Sequence, residues 1–193
     1  QDIQDPITES LTKVLLRASQ HRGYLLLVSG FFVCGFHVAF ISSHLPAYLT
    51  DGGVAPEARA ASLAFIGLAN IAGSFTFGYL GDRYRKKHLL SGLYLSRAII
   101  ISLFLILPLT NGTAIIFGMM IGFVWLATVP LTSGTIAQIF GVRYLATLYG
   151  FVFFSHQIGS FLGVWLGGRF YDQTGSYSVI WIAAIILSFF AFL

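Results

Sequence analysis

Apolar residues run almost unbroken through most of this chain, interrupted at intervals by short polar or glycine-rich stretches. A helix needs about 20 mainly apolar residues to cross a bilayer. Read in windows of that length, the pattern predicts five membrane spans and a shorter sixth. They cover residues 24–50, 58–80, 88–107, 113–139, 144–170 and 178–193. Turn chemistry marks the breaks: Gly52-Gly53 and Pro56, then Asn111-Gly112, Gly141, and Gly175-Ser176. Tyr24, Tyr48, Tyr144, Tyr171 and Tyr177 sit at span ends, where aromatic rings favour the membrane interface. Upstream, residues 7–18 place Ile7, Leu11, Val14, Leu15 and Ala18 on one helical face and Glu9, Lys13 and Arg17 on another. Two readings fit that pattern: a short amphipathic helix lying at the membrane interface, or a solvated helical linker.

Composition agrees with the spans. Of 193 residues, 56% are hydrophobic and only 9% charged, whereas a soluble domain carries about 25% charged residues. The formal net charge of +4 does not signal a nucleic-acid partner, because the 11 basic residues are few and dispersed. The single cysteine, Cys34, excludes an internal disulfide and paired-cysteine metal motifs, and it reads as a small apolar helix residue. The chain opens on QDIQDPITES, without Met, and closes on FFAFL within an apolar run. It is therefore expected to be a piece of a longer protein, with its last helix cut short.

Basic residues set an expected orientation. Eight of the 11, Lys13, Arg17, Arg22, Arg83, Arg85, Lys86, Lys87 and Arg143, fall on one side, and Arg59 and Arg169 on the other. The positive-inside rule puts the first side, and the N-terminus, in the cytoplasm. Arg97 remains, near the middle of the third span, whereas Arg59 and Arg169 fall at span ends.

The densest charge cluster is GYLGDRYRKKHLL, residues 78–90, between the second and third spans. Gly78-x-Leu80-x-Asp82-Arg83, followed by Arg85-Lys86-Lys87, resembles the signature loop of the major facilitator superfamily (MFS), with Arg85 where that pattern has a glycine. Residues 122–177 are similar to the tenth and eleventh helices of its monocarboxylate and oxalate/formate branch. The resemblance implies an all-α integral membrane protein, the C-terminal six-helix half-bundle of that fold. Residues 1–22 would then be cytoplasmic loop and residues 23–193 the transmembrane half. It also implies that Gly78, Gly81, Asp82, Arg83, Lys86 and Lys87 form a gating loop, whose Asp82 contacts the other half of the molecule. The plainer reading of the cluster is topogenic charge.

Polar side chains at membrane depth are costly and mark function. His37 and His44 lie seven positions apart, on one face of the first span. His156 and Gln157 are adjacent, so they point about 100° apart. Asn70 is central in the second span, where the resemblance would place an acidic residue, and Ser74 stands where it would place an arginine. Arg97 either binds a substrate carboxylate or is satisfied by backbone carbonyls and neighbours such as Asn70. Trp125, Thr128 and Thr132 lie in the fourth span with Pro130, which permits a bend there, as Pro46 does in the first span. The resemblance makes both helices gates. Gly159, Gly163 and Gly167 form a stripe for close helix packing in the fifth. All seven acidic residues fall in tails or at span ends, so none sits mid-membrane to carry protons.

These features favour part of a secondary active transporter, not an enzyme. It would move a small organic solute, an organic anion, by alternating access as a symporter or antiporter. Its expected partners are that small-molecule solute, the lipid bilayer and a missing N-terminal half. No cofactor, metal or nucleic acid is required, and the cytoplasmic or plasma membrane is the expected location. A different class, a membrane haem or metal protein using His37, His44 and His156, is the alternative.

Overall fold

The computed structural model describes residues 10–193, so Ile7 and Glu9 of the N-terminal pattern lie outside the described residues. The order of helices is α1 (Leu11–Gln20), α2 (Arg22–Asp51), α3 (Pro56–Arg83), α4 (Lys86–Ile106), α5 (Asn111–Phe123), α6 (Thr128–Phe140), α7 (Leu145–Thr174) and α8 (Ser178–Phe192). Five stretches are long and apolar enough to cross a membrane: α2, α3, α4, α5 with α6, and α7. The shorter α8 is equally apolar in character. The spans expected from the hydrophobic pattern thus form, and the fold is an all-helical half-bundle.

Local chemistry explains several of the ends. His21 caps α2, its Nδ1 accepting from the Tyr24 backbone N–H at 3.2 Å. Pro56 opens α3, where its missing N–H would be unpaired anyway. Thr110 and Thr113 make a reciprocal cap at the start of α5. Gly175 ends α7 with a left-handed φ of 67°, a conformation open to glycine without steric penalty.

In lipid, apolar burial drives helix association weakly, so close backbone approach matters more. The main pairs are α2 with α7, α3 with α5, and α4 with α8. Along α2–α7, a Cβ at Gly159 would strike the Phe32 carbonyl, one at Gly163 the Phe36 carbonyl, and one at Gly35 the His156 carbonyl. Gly167 lies against the His44 ring. Serine hydroxyls stitch the same seam: Ser155 donates to the Val28 carbonyl at 2.8 Å and Ser160 to the Gly35 carbonyl at 3.2 Å. Along α3–α5, Gly118 and Gly122 approach the Ser62 and Ile66 carbonyls. Towards the end away from the basic cluster, Trp181 packs edge-on against Phe40, Tyr48, Phe104 and Phe117. At the basic end α1 buries Val14 and Ala18, leaving Leu11 and Leu16 exposed. Arg17 lies over the Phe140 ring at 5.3 Å, which docks α1 against the last turn of α6.

The fourth span differs from the expected single helix bending at Pro130. It is interrupted earlier, over residues 124–127, and resumes at Thr128. Pro130 then occupies the first turn of α6, where its missing N–H breaks no ladder bond. Pro46 lies inside α2, which continues to Asp51, and Thr50 donates its hydroxyl to the Pro46 carbonyl at 2.7 Å.

Candidate functional site at the interrupted fourth span

An interrupted helix leaves backbone groups without ladder partners, and inside a membrane each must be satisfied by protein. Two side chains from other helices do so here. From α4, Arg97 donates Nε to the Val124 carbonyl at 3.3 Å and Nη2 to the same oxygen at 2.8 Å. Nη2 also bonds the Trp125 carbonyl. From α3, the Asn70 Oδ1 accepts the Leu126 backbone N–H at 3.1 Å. Ser74 donates to that same Oδ1 at 3.4 Å, holding the amide in place. The polar residues of the second and third spans therefore converge on one short segment.

Arg97 is 1% exposed, the most deeply buried cation among the described residues. Its charge is met by the carbonyl end of α5, where the helix dipole is negative, and by the Tyr94 ring, 5.4 Å from the guanidinium carbon. Tyr94 is itself fixed, donating to the Gly30 carbonyl on α2 at 2.5 Å. No carboxylate pairs with Arg97 among the described residues: Asp51, Glu57, Asp82 and Asp172 are all exposed at helix ends. Its third nitrogen, Nη1, is buried without a partner. Thr128, at the start of α6, is fully buried and lies 3.3 Å from Cys34 Sγ through its Oγ1. Thr132, one turn on, is also buried, as is Trp125 within the interruption.

His37 and His44 bond outside this cluster, whereas His156 lies beside Cys34 and so borders it. His37 Nε2 contacts the Ala184 carbonyl at 2.8 Å and the Ser188 hydroxyl at 3.3 Å, leaving Nδ1 buried without a partner. His44 meets the Val164 carbonyl at 3.0 Å and the Tyr177 hydroxyl at 3.3 Å, nearer the opposite end. His156 stacks on Phe153 with 5.5 Å between centroids, while its neighbour Gln157 is exposed. Among the described residues no three His, Cys, Asp or Glu side chains group as metal ligands.

At the basic end, Gly81 sits against Leu131 of α6. Lys86 Nζ donates to the Gly81 carbonyl at 2.7 Å, and its aliphatic stem lies over Gly134 of α6. Arg83 lies over the Tyr79 ring at 4.3 Å. Gly78 has open space beside it, and Asp82 and Lys87 are exposed. Sequence reasoning missed Tyr94, Cys34 and Gly134 as members of these contacts. Tyr94 precedes Arg97 by three positions, which puts both on one face of α4. Nothing in the sequence ties Cys34 to Thr128.

Residues 27–193 match the family model described as Major Facilitator Superfamily. An uncharacterized MFS-type transporter of Bacillus subtilis, YcxA, is 30% identical over 86% of this chain and 42% of its own length. Monocarboxylate transporter 12 of Rattus norvegicus is 30% identical over 96% of this chain and 40% of its own length. For the Homo sapiens protein of that name the figures are 29%, 81% and 32%. The chain thus spans less than half the length of these relatives. With a family model covering nearly all of it and five stretches able to cross a bilayer, the chain is a multi-pass integral membrane protein and belongs to the major facilitator superfamily.

Proposed function

We propose that this chain is the C-terminal half of a secondary active transporter that moves a small organic anion by alternating access. A second six-helix half would complete the pathway. The observation that carries this reading is the outer face of α3 and α7, the least buried of the spans. Gln157 lies exposed near the middle of α7, and a polar amide facing lipid at that depth is unfavourable. A facing half-bundle, with water between, relieves that penalty.

Monocarboxylate transporters among the relatives support an anionic solute. So does the charge distribution, with Arg97 buried and no described carboxylate at membrane depth. The basic end is the cytoplasmic one by the positive-inside rule. The loop from Gly78 to Lys87 lies at that end, and Asp82 is free to reach the partner half. Lys86 over Gly134 links the same loop to α6, so closing or opening the loop would act on the inner part of the fourth span.

The test is a counterflow screen with the two-half protein in liposomes. Preloaded formate, acetate, lactate and pyruvate should accelerate uptake of at least one labelled monocarboxylate. Stimulation only by neutral or cationic solutes would refute the anionic solute.

A further inference from the structure

The geometry points to a docking site for the headgroup of a zwitterionic phospholipid at the outer end of α7. A cavity of about 440 Å³ opens there, between α2 and α7. His44 lines it from α2, and Trp165, Gly168, Arg169, Asp172 and Gln173 line it from α7. The His44 ring is a fixed wall, because its Nε2 meets the Val164 carbonyl at 3.0 Å and its Nδ1 the Tyr177 hydroxyl at 3.3 Å. Gly168 keeps the space open: a Cβ there would come no nearer than 3.9 Å to that ring.

Helix length sets the depth of this cavity. The 30 residues of α7 span about 45 Å, against about 30 Å of hydrocarbon. Roughly five residues at each end therefore reach the headgroup layers. Arg169, Asp172 and Gln173 fall in the layer away from the basic cluster, the outer one by the positive-inside rule. Trp165 falls at its inner edge, where indole rings favour the interface. Below it, Phe154, Ile158, Phe161 and Trp165 form an exposed apolar stripe at helical spacing. The Phe161 and Trp165 rings stack nearly parallel, 6.3 Å apart. From residue 154 to 165 the stripe is about 16 Å long, the depth of one leaflet. Gln157, which faces the other half in the function proposed above, lies about 60–100° round the helix from Phe154, Ile158 and Trp165. The stripe thus lies to one side of that contact.

Charge selects the headgroup. Arg169 and Asp172 are exposed, three positions apart, on the lining of one cavity. Arg169 lies over the Trp165 ring at 5.8 Å, and neither charge has an ionic partner among the described residues. Opposite charges side by side suit a ligand that carries both. A guanidinium takes a phosphate through its planar fork of donors. A carboxylate takes an ammonium, and the Trp165 ring also attracts a cation. An anionic headgroup satisfies Arg169 and is repelled by Asp172. A free zwitterion would satisfy both charges, but it would leave the stripe bare. A phospholipid places phosphate and ammonium in the cavity and an acyl chain along Phe161, Ile158 and Phe154. Because His44 belongs to α2, the seated headgroup bridges α2 and α7 at their outer ends.

The experiment uses the two-half protein in detergent, at constant ionic strength, and needs no transported solute. Thermal unfolding is followed as dioleoyl phosphatidylethanolamine, phosphatidylcholine or phosphatidylglycerol is mixed into the micelles. The expected result is a rise in Tm that saturates at a lower mole fraction for the two zwitterionic lipids than for phosphatidylglycerol. Arg169→Gln should raise the half-saturating fraction of the zwitterionic lipids about fivefold. Asp172→Asn removes the repulsion and should bring phosphatidylglycerol level with them. Gly168→Leu should fill the cavity and abolish the saturating component. The open space beside Gly168 lets that variant fold, and the two charged side chains are exposed, so their variants leave the packing intact. The site is overturned if no lipid gives a saturating rise, or if phosphatidylglycerol binds wild type as tightly as the zwitterionic lipids. An unchanged response in all three variants would put the lipid elsewhere on the bundle and overturn it too. Glycerophosphoethanolamine carries the same headgroup without acyl chains. Saturation by it at the same concentration would make the occupant a free solute and remove the lipid.

Discussion

Replacing Gly159 with alanine puts a methyl group where α7 touches the backbone of α2. The added Cβ would overlap the Phe32 carbonyl oxygen, and the Phe36 backbone N would lie 3.1 Å away. Neither obstacle is a side chain that can rotate aside. To restore ordinary van der Waals separation the helices must part by roughly 1 Å, which forfeits up to about half the dispersion energy of the contacts it opens. Overpacking of this kind costs about 1–3 kcal/mol. Alanine returns roughly 1 kcal/mol as a better helix former than glycine. The net loss is therefore up to about 2 kcal/mol for Gly159→Ala. Valine adds two more methyl groups to the same seam and should reach the upper end, about 3 kcal/mol. The control is Gly92→Ala on α4, where nothing lies within 4 Å of an added Cβ. Thermal unfolding in detergent should rank the variants with Gly92→Ala at or above wild type, then Gly159→Ala, then Gly159→Val. Equal Tm values for the Gly92 and Gly159 variants would refute backbone contact as the basis of the α2–α7 pair.

Other outcomes follow from the same contacts. Arg97→Met strips the donors from the Val124 and Trp125 carbonyls, so Tm should fall by the equivalent of at least about 2 kcal/mol. Asn70→Leu removes the acceptor of both the Leu126 N–H and the Ser74 hydroxyl, and since a hydrogen bond between membrane helices is worth about 0.6 kcal/mol and at most about 1.7, the loss should stay below that of Arg97→Met. Asp82→Asn changes an exposed carboxylate without a partner among the described residues. Tm should stay within the scatter of wild type while the uptake rate of the two-half protein drops several-fold. A fall in Tm with unchanged rate would give Asp82 a structural role instead. Gly134→Leu should displace the Lys86 stem from α6 and slow uptake in the same way.

The spans were legible because their signal is long. Some 20 apolar residues bounded by Gly, Pro or charge leave few alternatives, and the helices begin and end close to the expected limits. The glycine spacing in the fifth span was legible too, since Gly159 and Gly163 recur at the helical repeat and both meet α2. The interruption at residues 124–127 was not. The stretch VWLA is apolar throughout and carries no breaker, and the visible cue, Pro130, lies beyond it. The break exists in partnership with Arg97 and Asn70, residues far away in sequence that supply what the broken ladder lacks. A buried arginine needs acceptors, and with no described carboxylate at that depth the backbone must provide them. The histidines show the same limit. Their shared face in α2 is a property of spacing, but the Ala184 and Val164 carbonyls that meet His37 and His44 come from α8 and α7.

The central claim is that the pathway lies between this half-bundle and a second one. Its most direct test is labelled monocarboxylate uptake into liposomes, measured side by side for the two-half protein and for residues 1–193 alone. The account predicts saturable uptake by the first and background by the second, at equal reconstituted protein. Saturable uptake by residues 1–193 alone would contradict it.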